Sequence, residues 1–404
     1  MKKTIAVLGA LDTKGEEFRY LIECIQARGH RVVTLNFGVM GEAPFEVQYP
    51  AEQIAERGGS QLETLRKKGD RGWAMAVMGR GAAQMVKELA HQGVIDGIIG
   101  MGGSGGTAVF AEAVRDLPVG FPKILVTTLA AGNTRSIIGT KDLMLMPSVV
   151  DVAGLNRISR RILNNAANAI CGMVEAQGEE TDSEKPIIAA TMLGNTTPAV
   201  DVARKIFEEA GFEVLVFHAI GVGGMTMENL IREGWIAGVY DLTTTELVSA
   251  LVGSPYSAGE ERLTAAGKAA IPQVISAGCV DFSIFGRPET VPERYQGRLF
   301  YRWNPETTLM RTTMEESRQV GEQIAERANA ARGNTQVWLP WGGLSQLDAS
   351  GQPFWQPESD AALFTAVRNT LSETVPLIEM ELHVNDLAFA RQSALALLRM
   401  LGAA

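Results

Sequence analysis

Short runs of aliphatic and β-branched residues alternate along this chain with longer stretches of helical period. That is the pattern of strands buried on both faces and joined by crossover helices. Thr4-Ile-Ala-Val-Leu8, Val94-Ile-Asp-Gly-Ile-Ile99 and Lys123-Ile-Leu-Val126 are each followed by small or polar residues and then by a helical stretch. The order is α/β, and it predicts two Rossmann-like, doubly wound lobes with mainly parallel sheets.

The pattern also repeats. Lys3-Thr-Ile-Ala-Val-Leu8 and Gly29-His-Arg-Val-Val-Thr-Leu35 align without a gap on Lys185-Pro-Ile-Ile-Ala-Ala190 and Gly211-Phe-Glu-Val-Leu-Val-Phe217. Gly93–Gly100 echoes Gly234–Asp241, and Phe121-Pro-Lys-Ile-Leu-Val126 echoes Ile271-Pro-Gln-Val-Ile-Ser276. Three echoes in the same order predict two similar lobes, 1–180 and 185–404. The polar, acidic stretch Ala176–Glu184 reads as the linker between them. In such sheets ligands gather beyond the carboxyl ends of the strands, so the loops after each strand and the cleft between the lobes are where chemistry is expected.

Composition narrows the classes. The 404 residues are 46% hydrophobic, enough for a sizeable core, and the net charge of −9 argues against a nucleic-acid binder. Three cysteines without metal or redox spacing point to neither a disulfide framework nor a zinc site, and a reducing cytoplasmic setting suits them. The opening Met1-Lys-Lys-Thr-Ile-Ala-Val-Leu8 imitates a signal peptide, but Asp12, Lys14, Glu16 and Glu17 follow at once, so it reads as a buried first strand. No run approaches the length of a membrane span, and no membrane partner is expected.

In the first lobe, Leu11-Asp-Thr-Lys-Gly15 follows the first strand. It is no Walker A loop; Thr13 and Glu16 have capping-box spacing, while Asp12, Thr13 and Lys14 suit a hydroxyl, a metal-bound water or a phosphate. Both readings stand. Gly100–Thr107 matches the spacing G-x-G-x-x-G between strand and helix, yet it follows a later strand, and the next strand ends in Thr127-Thr128 with no acid for a ribose. What remains is an anion cradle from Gly102, Gly103, Ser104, Gly105, Gly106 and Thr107, with a plain glycine turn as the alternative. Thr128, Gly132, Asn133, Thr134 and Lys141, on the following loop, are candidates to grip a base, ribose or phosphate; Lys141-Asp142 also reads as a solvated pair.

In the second lobe, Thr197-Pro198 marks a helix start with Asn195 and Thr196 left for a ligand. His218, one of four histidines, ends a strand beside a glycine-rich turn, where a general base or metal ligand is placed, with a hydrogen-bonded structural histidine as the alternative. Glu228 suits chemistry or a helix amino end. Asp241-Leu-Thr-Thr-Thr-Glu246 occupies the place of the first lobe's glycine loop, and Arg311 is able to fork onto a carboxylate or phosphate. His218, Glu228, Asp241 and Arg311 are thus the candidate catalytic groups.

Leu11-Asp-Thr-Lys-Gly15, Gly102–Thr107, Ser148-Val-Val-Asp151, Thr196-Thr-Pro198, Val216-Phe-His-Ala219, Asp241–Glu246 and Leu309-Met-Arg-Thr-Thr313 together resemble the Tm-1-like ATP-binding domain proteins. Val280–Phe285 departs from that pattern. The resemblance implies two Rossmann-like subdomains, ATP with Mg²⁺ on the first, metal ligands unassigned, and a homodimer. The expected function is ATP/Mg²⁺ binding by an enzyme acting on a small anionic metabolite between the lobes. A nucleotide-binding regulatory module without turnover, and a nucleotide-independent lyase or hydrolase, are the alternatives.

Overall fold

A computed structural model describes residues 2–176 and 185–403, so most of the expected linker, 177–184, lies outside the described residues. The chain divides into two compact units, residues 1–180 and 181–404.

The first unit carries β1 (Thr4–Gly9), β2 (Arg31–Asn36), β3 (Gly97–Gly102), β4 (Lys123–Thr127) and β5 (Met144–Pro147), all parallel, in the order β2-β1-β3-β4-β5. Alternate residues feed two cores. Ala6, Leu8, Ile98 and Leu125 join one, while Ile5, Val7, Ile99 and Val126 join the other, which is why these strands read as unbroken apolar runs. The order reverses between β1 and β3, so the loops after these two strands flank the topological switch point.

The second unit has β6 (Ile187–Met192), β7 (Glu213–His218), β8 (Ile236–Thr243), β9 (Gln273–Gly278), β10 (Phe282–Phe285), β11 (Phe300–Asn304), β12 (Thr307–Arg311), β13 (Thr335–Pro340) and β14 (Leu377–Met380). Its parallel sheet runs β14-β13-β9-β8-β6-β7, and β10, β12 and β11 form a separate antiparallel sheet. Read from β7, the first five strands repeat the order of the first unit. The repeat is therefore structural.

Detail supports the pairing of strands. Gly29 and Gly211, which precede β2 and β7, take φ of +90° and +92°, a left-handed turn that glycine adopts without strain. Ile98 N–H bonds the carbonyl of Pro122 and Val239 N–H that of Pro272, each at 2.9 Å, so the two Pro-led strands are held alike. The antiparallel insert between β9 and β13 has no counterpart in the first unit, and the sequence pattern did not single it out. Among the described residues, no helix is long and apolar enough to cross a membrane.

Candidate functional site

In the first unit the helix Ser104–Val114 springs directly from β3, with Gly103 at its N-cap and no side chain bonding its first N–H groups. The first turn of any helix leaves such donors unsatisfied, with a partial positive charge behind them. Here they are accessible: Ser104 is exposed, and Gly103, Gly105 and Gly106 are partly so.

The glycines have two different reasons. A Cβ on Gly100 would stand 2.4 Å from the Phe110 ring, and one on Gly102 3.0 Å from Gly106 Cα, so packing demands both. A Cβ on Gly103 would meet only the Thr128 hydroxyl, at 3.9 Å. Packing asks nothing of Gly103.

Thr128 is exposed, and its N–H reaches the Gly102 carbonyl at 3.4 Å, which ties the loop after β4 to the glycine loop. Gly132, Asn133, Thr134 and Lys141 lie further along; Asn133 Oδ1 accepts the Arg135 N–H at 3.1 Å and so shapes the turn there. Thr107 is corrected. Its hydroxyl is buried and shared with that of Thr127 at 2.6 Å, holding β3's helix against β4 rather than facing a ligand.

The loop after β1 also differs from the capping expectation. Lys14 is the N-cap of the helix Gly15–Ala27 and no side chain caps it, so Thr13 and Glu16 make no capping box. Asp12 turns instead to the loop after β2, accepting the N–H groups of Met40 and Gly41 on Oδ2 at 2.8 and 3.1 Å. Its buried Oδ1 has no hydrogen-bond partner. Lys14 Nζ donates to the Val152 carbonyl, while Thr13 stays exposed.

One cation escaped the sequence reading. Arg71 opens the helix Arg71–His91, is exposed, and has no hydrogen-bond or ion-pair partner among the described residues. Its Nη2 lies 3.5 Å from where a Cβ on Gly105 would stand. No motif marks it, because only the packing of that helix against Ser104–Val114 brings it there.

The equivalent place in the second unit is closed. Arg262, fully buried, forks onto Asp241 through both Nη atoms and bonds Glu246 through Nε at 2.6 Å, with Glu228 3.6 Å away. Asp241 also accepts the Thr191 hydroxyl at 2.7 Å. Glu246 Oε1 accepts the N–H groups of Gly221 and Gly224 at 2.6 and 3.1 Å. Glu228 accepts those of Leu263, Thr264 and Ala265 at the start of the helix Ala265–Ala269. Burial pushes the pKa of Glu228 and Glu246 up, and the Arg262 guanidinium opposes it. Burial alone would lower the Arg262 pKa, but Asp241, Glu246 and Glu228 carry it well above the usual value.

The hydroxyls of Thr243, Thr244 and Thr245 donate to the carbonyls of Thr191, Ser276 and Phe282. So Glu228 and Asp241, expected as catalytic groups, hold loops and helix ends together here. Their buried oxygens are taken up by protein donors.

Arg311 is corrected in the same way. It donates to the carbonyls of Phe354 and Asp281, to the Thr312 hydroxyl and to Asp360 at 2.8 Å, and only 1% of it is exposed. Asp281, Asp348 and Asp360 surround it. Burial raises all three pKa values, that of Asp360 to about 7, with the Asp348 carboxylate adding to the rise at Asp360. Asp348 Oδ1, 3.6 Å from Arg311 Nη2, has no hydrogen-bond partner among the described residues.

The helix after β6 begins at Thr197 with Thr196 as N-cap, one residue earlier than the pattern suggested. Thr196 and Asn195 are buried, and the Thr196 hydroxyl meets that of Thr243 at 2.8 Å. His218 alone of the four candidates is exposed at a strand end, and desolvation keeps its pKa below the ordinary value. Among the described residues no three His, Cys, Asp or Glu side chains gather to hold a metal.

The same two units are separate matches to family models. Residues 3–179 match the N-terminal domain, and 185–401 the C-terminal domain, of the uncharacterised protein family UPF0261. The chain belongs to this family. A UPF0261 protein of Clostridium tetani is 46% identical over 99% of this chain and all of its own length. One from Rhizobium meliloti is 42% identical over 98% of each. The ToMV resistance protein Tm-1 of Solanum lycopersicum is 35% identical over 95% of this chain, which spans 54% of that protein. The Tm-1-like resemblance of the loops is thus a family relation over nearly the whole chain.

Proposed function

We propose that the first unit binds the phosphates of a nucleotide, ATP accompanied by Mg²⁺, at the amino end of the helix Ser104–Val114. The observation that carries the reading is that open helix end beside β1 and β3, free of side chains at Gly103 and flanked by the unpaired Arg71. Backbone N–H donors, the helix dipole and one guanidinium all favour a multiply charged anion in the same place. Thr128 stands where a hydroxyl meets the same group, and the loops bearing Asp12 and Gly132–Thr134 offer polar edges for the rest of the nucleotide.

Mg²⁺ fits this chain only as the phosphates' companion. It keeps waters and phosphate oxygens as ligands and asks for one or two carboxylates, and the described residues hold no protein cage. Asp12, with one carboxylate oxygen lacking a hydrogen-bond partner, is the side chain that would serve it.

The engagement of Glu228, Asp241 and Arg311 with protein partners favours nucleotide as a bound ligand over nucleotide as a reactant; His218 is the exception. The test is a thermal-shift panel of ATP, ADP and AMP with and without Mg²⁺. Ligand at about 100 times its Kd adds about 2.7 kcal/mol to folding stability. A shift that is largest for ATP with Mg²⁺ supports the proposal, and no shift with any nucleotide overturns it. Recovery of intact ATP after long incubation supports binding without turnover.

A further inference from the structure

The antiparallel insert of the second unit carries a cavity of about 410 Å³, lined by Pro288, Val291, Glu293, Phe300, Arg302 and Thr308 among others. Small-molecule sites occupy about 300–1,000 Å³, so one modest ligand fits. Three observations say what kind.

The first is a hydroxyl without a partner. Thr308 is 4% exposed and lines the cavity, yet its Oγ1 has no hydrogen-bond partner. A buried polar atom left unpaired costs free energy; that oxygen is itself buried, so a ligand recovers the cost only once the Thr308 side chain turns it toward the cavity.

The second is register. Arg302 lies directly opposite Thr308 across β11 and β12, and opposed residues share one face of a sheet. Phe300, two residues away, shares that face too, and the register slips immediately after Arg302. Bulges of this kind commonly re-aim a side chain at a site.

The third is charge. Neighbouring arginines are engaged: Arg287 with Glu306, Arg298 with Glu316, and Arg294 with the Val252 carbonyl. Arg302 and Glu293, both on the cavity, have no ion-pair partner among the described residues. One free cation and one free anion thus border a single apolar cavity. Tyr295, on the same wall, is anchored by its hydroxyl on the Val252 carbonyl at 2.6 Å, so the wall is built rather than loose.

We propose that this cavity binds a small zwitterion with an apolar body, of the class of aromatic α-amino acids. Its carboxylate meets Arg302 and, once that side chain turns, the Thr308 hydroxyl, its ammonium meets Glu293, and its body lies against Phe300, Pro288 and Val291. The site belongs wholly to the second unit and does not depend on the nucleotide reading.

Titration calorimetry on the full chain tests it, with L-phenylalanine, benzoate, phenethylamine and glycine as probes. L-phenylalanine is expected to bind, with each of the other three at least about tenfold weaker, since each lacks one of the three contacts. Arg302→Ala and Glu293→Gln each weaken L-phenylalanine by about tenfold. Thr308→Val also weakens it while leaving the melting temperature equal or higher, because an unpaired hydroxyl becomes a methyl. Absence of heat with L-phenylalanine at millimolar concentration overturns the proposal. So does binding of benzoate alone, or binding indifferent to Arg302→Ala.

Discussion

The positions after β3 and β8 are equivalent in two like-ordered sheets, and the chain treats them oppositely. After β3 it leaves a helix end bare, with glycines where side chains would stand and a lone guanidinium at the rim. After β8 the residue matching Gly105 by the repeat is Glu246, whose carboxylate fills the N–H groups of Gly221 and Gly224 and pairs with Arg262. One unit keeps its donors for something from outside. The other buries a carboxylate there, turns it onto the amino end of the neighbouring helix Val222–Arg232 and gains a fixed scaffold.

The largest effect is expected from breaking the closed side. Arg262→Met leaves Asp241, Glu246 and Glu228 buried without their shared cation. Removing one partner of a buried ion pair costs about 3–5 kcal/mol, so urea unfolding should report a loss of that order or larger. A change under about 1 kcal/mol would mean that the cluster carries little weight.

Gly105→Glu converts the open side into an imitation of the closed one. The new carboxylate would stand beside Arg71 and the helix end. Nucleotide affinity should fall by about a hundredfold or more, about 2.7 kcal/mol, in equilibrium binding, with the fold retained by circular dichroism. Undiminished affinity would move the site elsewhere.

A third expectation concerns the buried acids of the second unit. The Asp360 pKa of about 7 lies above its ordinary 3.8, so the folded state holds that proton more tightly. The contribution is fully present below the unfolded value and is lost as pH rises through about 7. Stability should therefore decline between pH 4 and 7 more than surface groups explain, by roughly 2–4 kcal/mol, and Asp360→Asn should flatten the slope. A parallel slope in wild type and variant would count against Asp360 as the titrating group.

The smallest effect sharpens the comparison most cheaply. Arg71 is exposed, so Arg71→Ala should leave the unfolding midpoint in place while weakening nucleotide about tenfold, or about 1.4 kcal/mol. Equal affinity would leave the helix end as the sole anion contact.

Much of this architecture is legible before any coordinates. Apolar runs buried on both faces announced parallel strands, and matched glycines before β2 and β7 announced the repeat, because backbone conformation and periodicity are local properties. The glycine loop was legible as a place for the same reason.

Side-chain roles were not. Asp241, Glu228 and Arg311 are polar residues at strand or helix positions that suit chemistry. Whether such a group meets a ligand or an internal partner depends on residues far along the chain, such as Arg262 for Asp241 and Asp360 for Arg311. Arg71 and Thr308 reach their sites only through helix packing and strand register. Hydrophobic period and turn chemistry determined the strands, the repeat and the loops; the tertiary structure decided which loop stays open, because burying a charge compels it to find a partner wherever the fold supplies one.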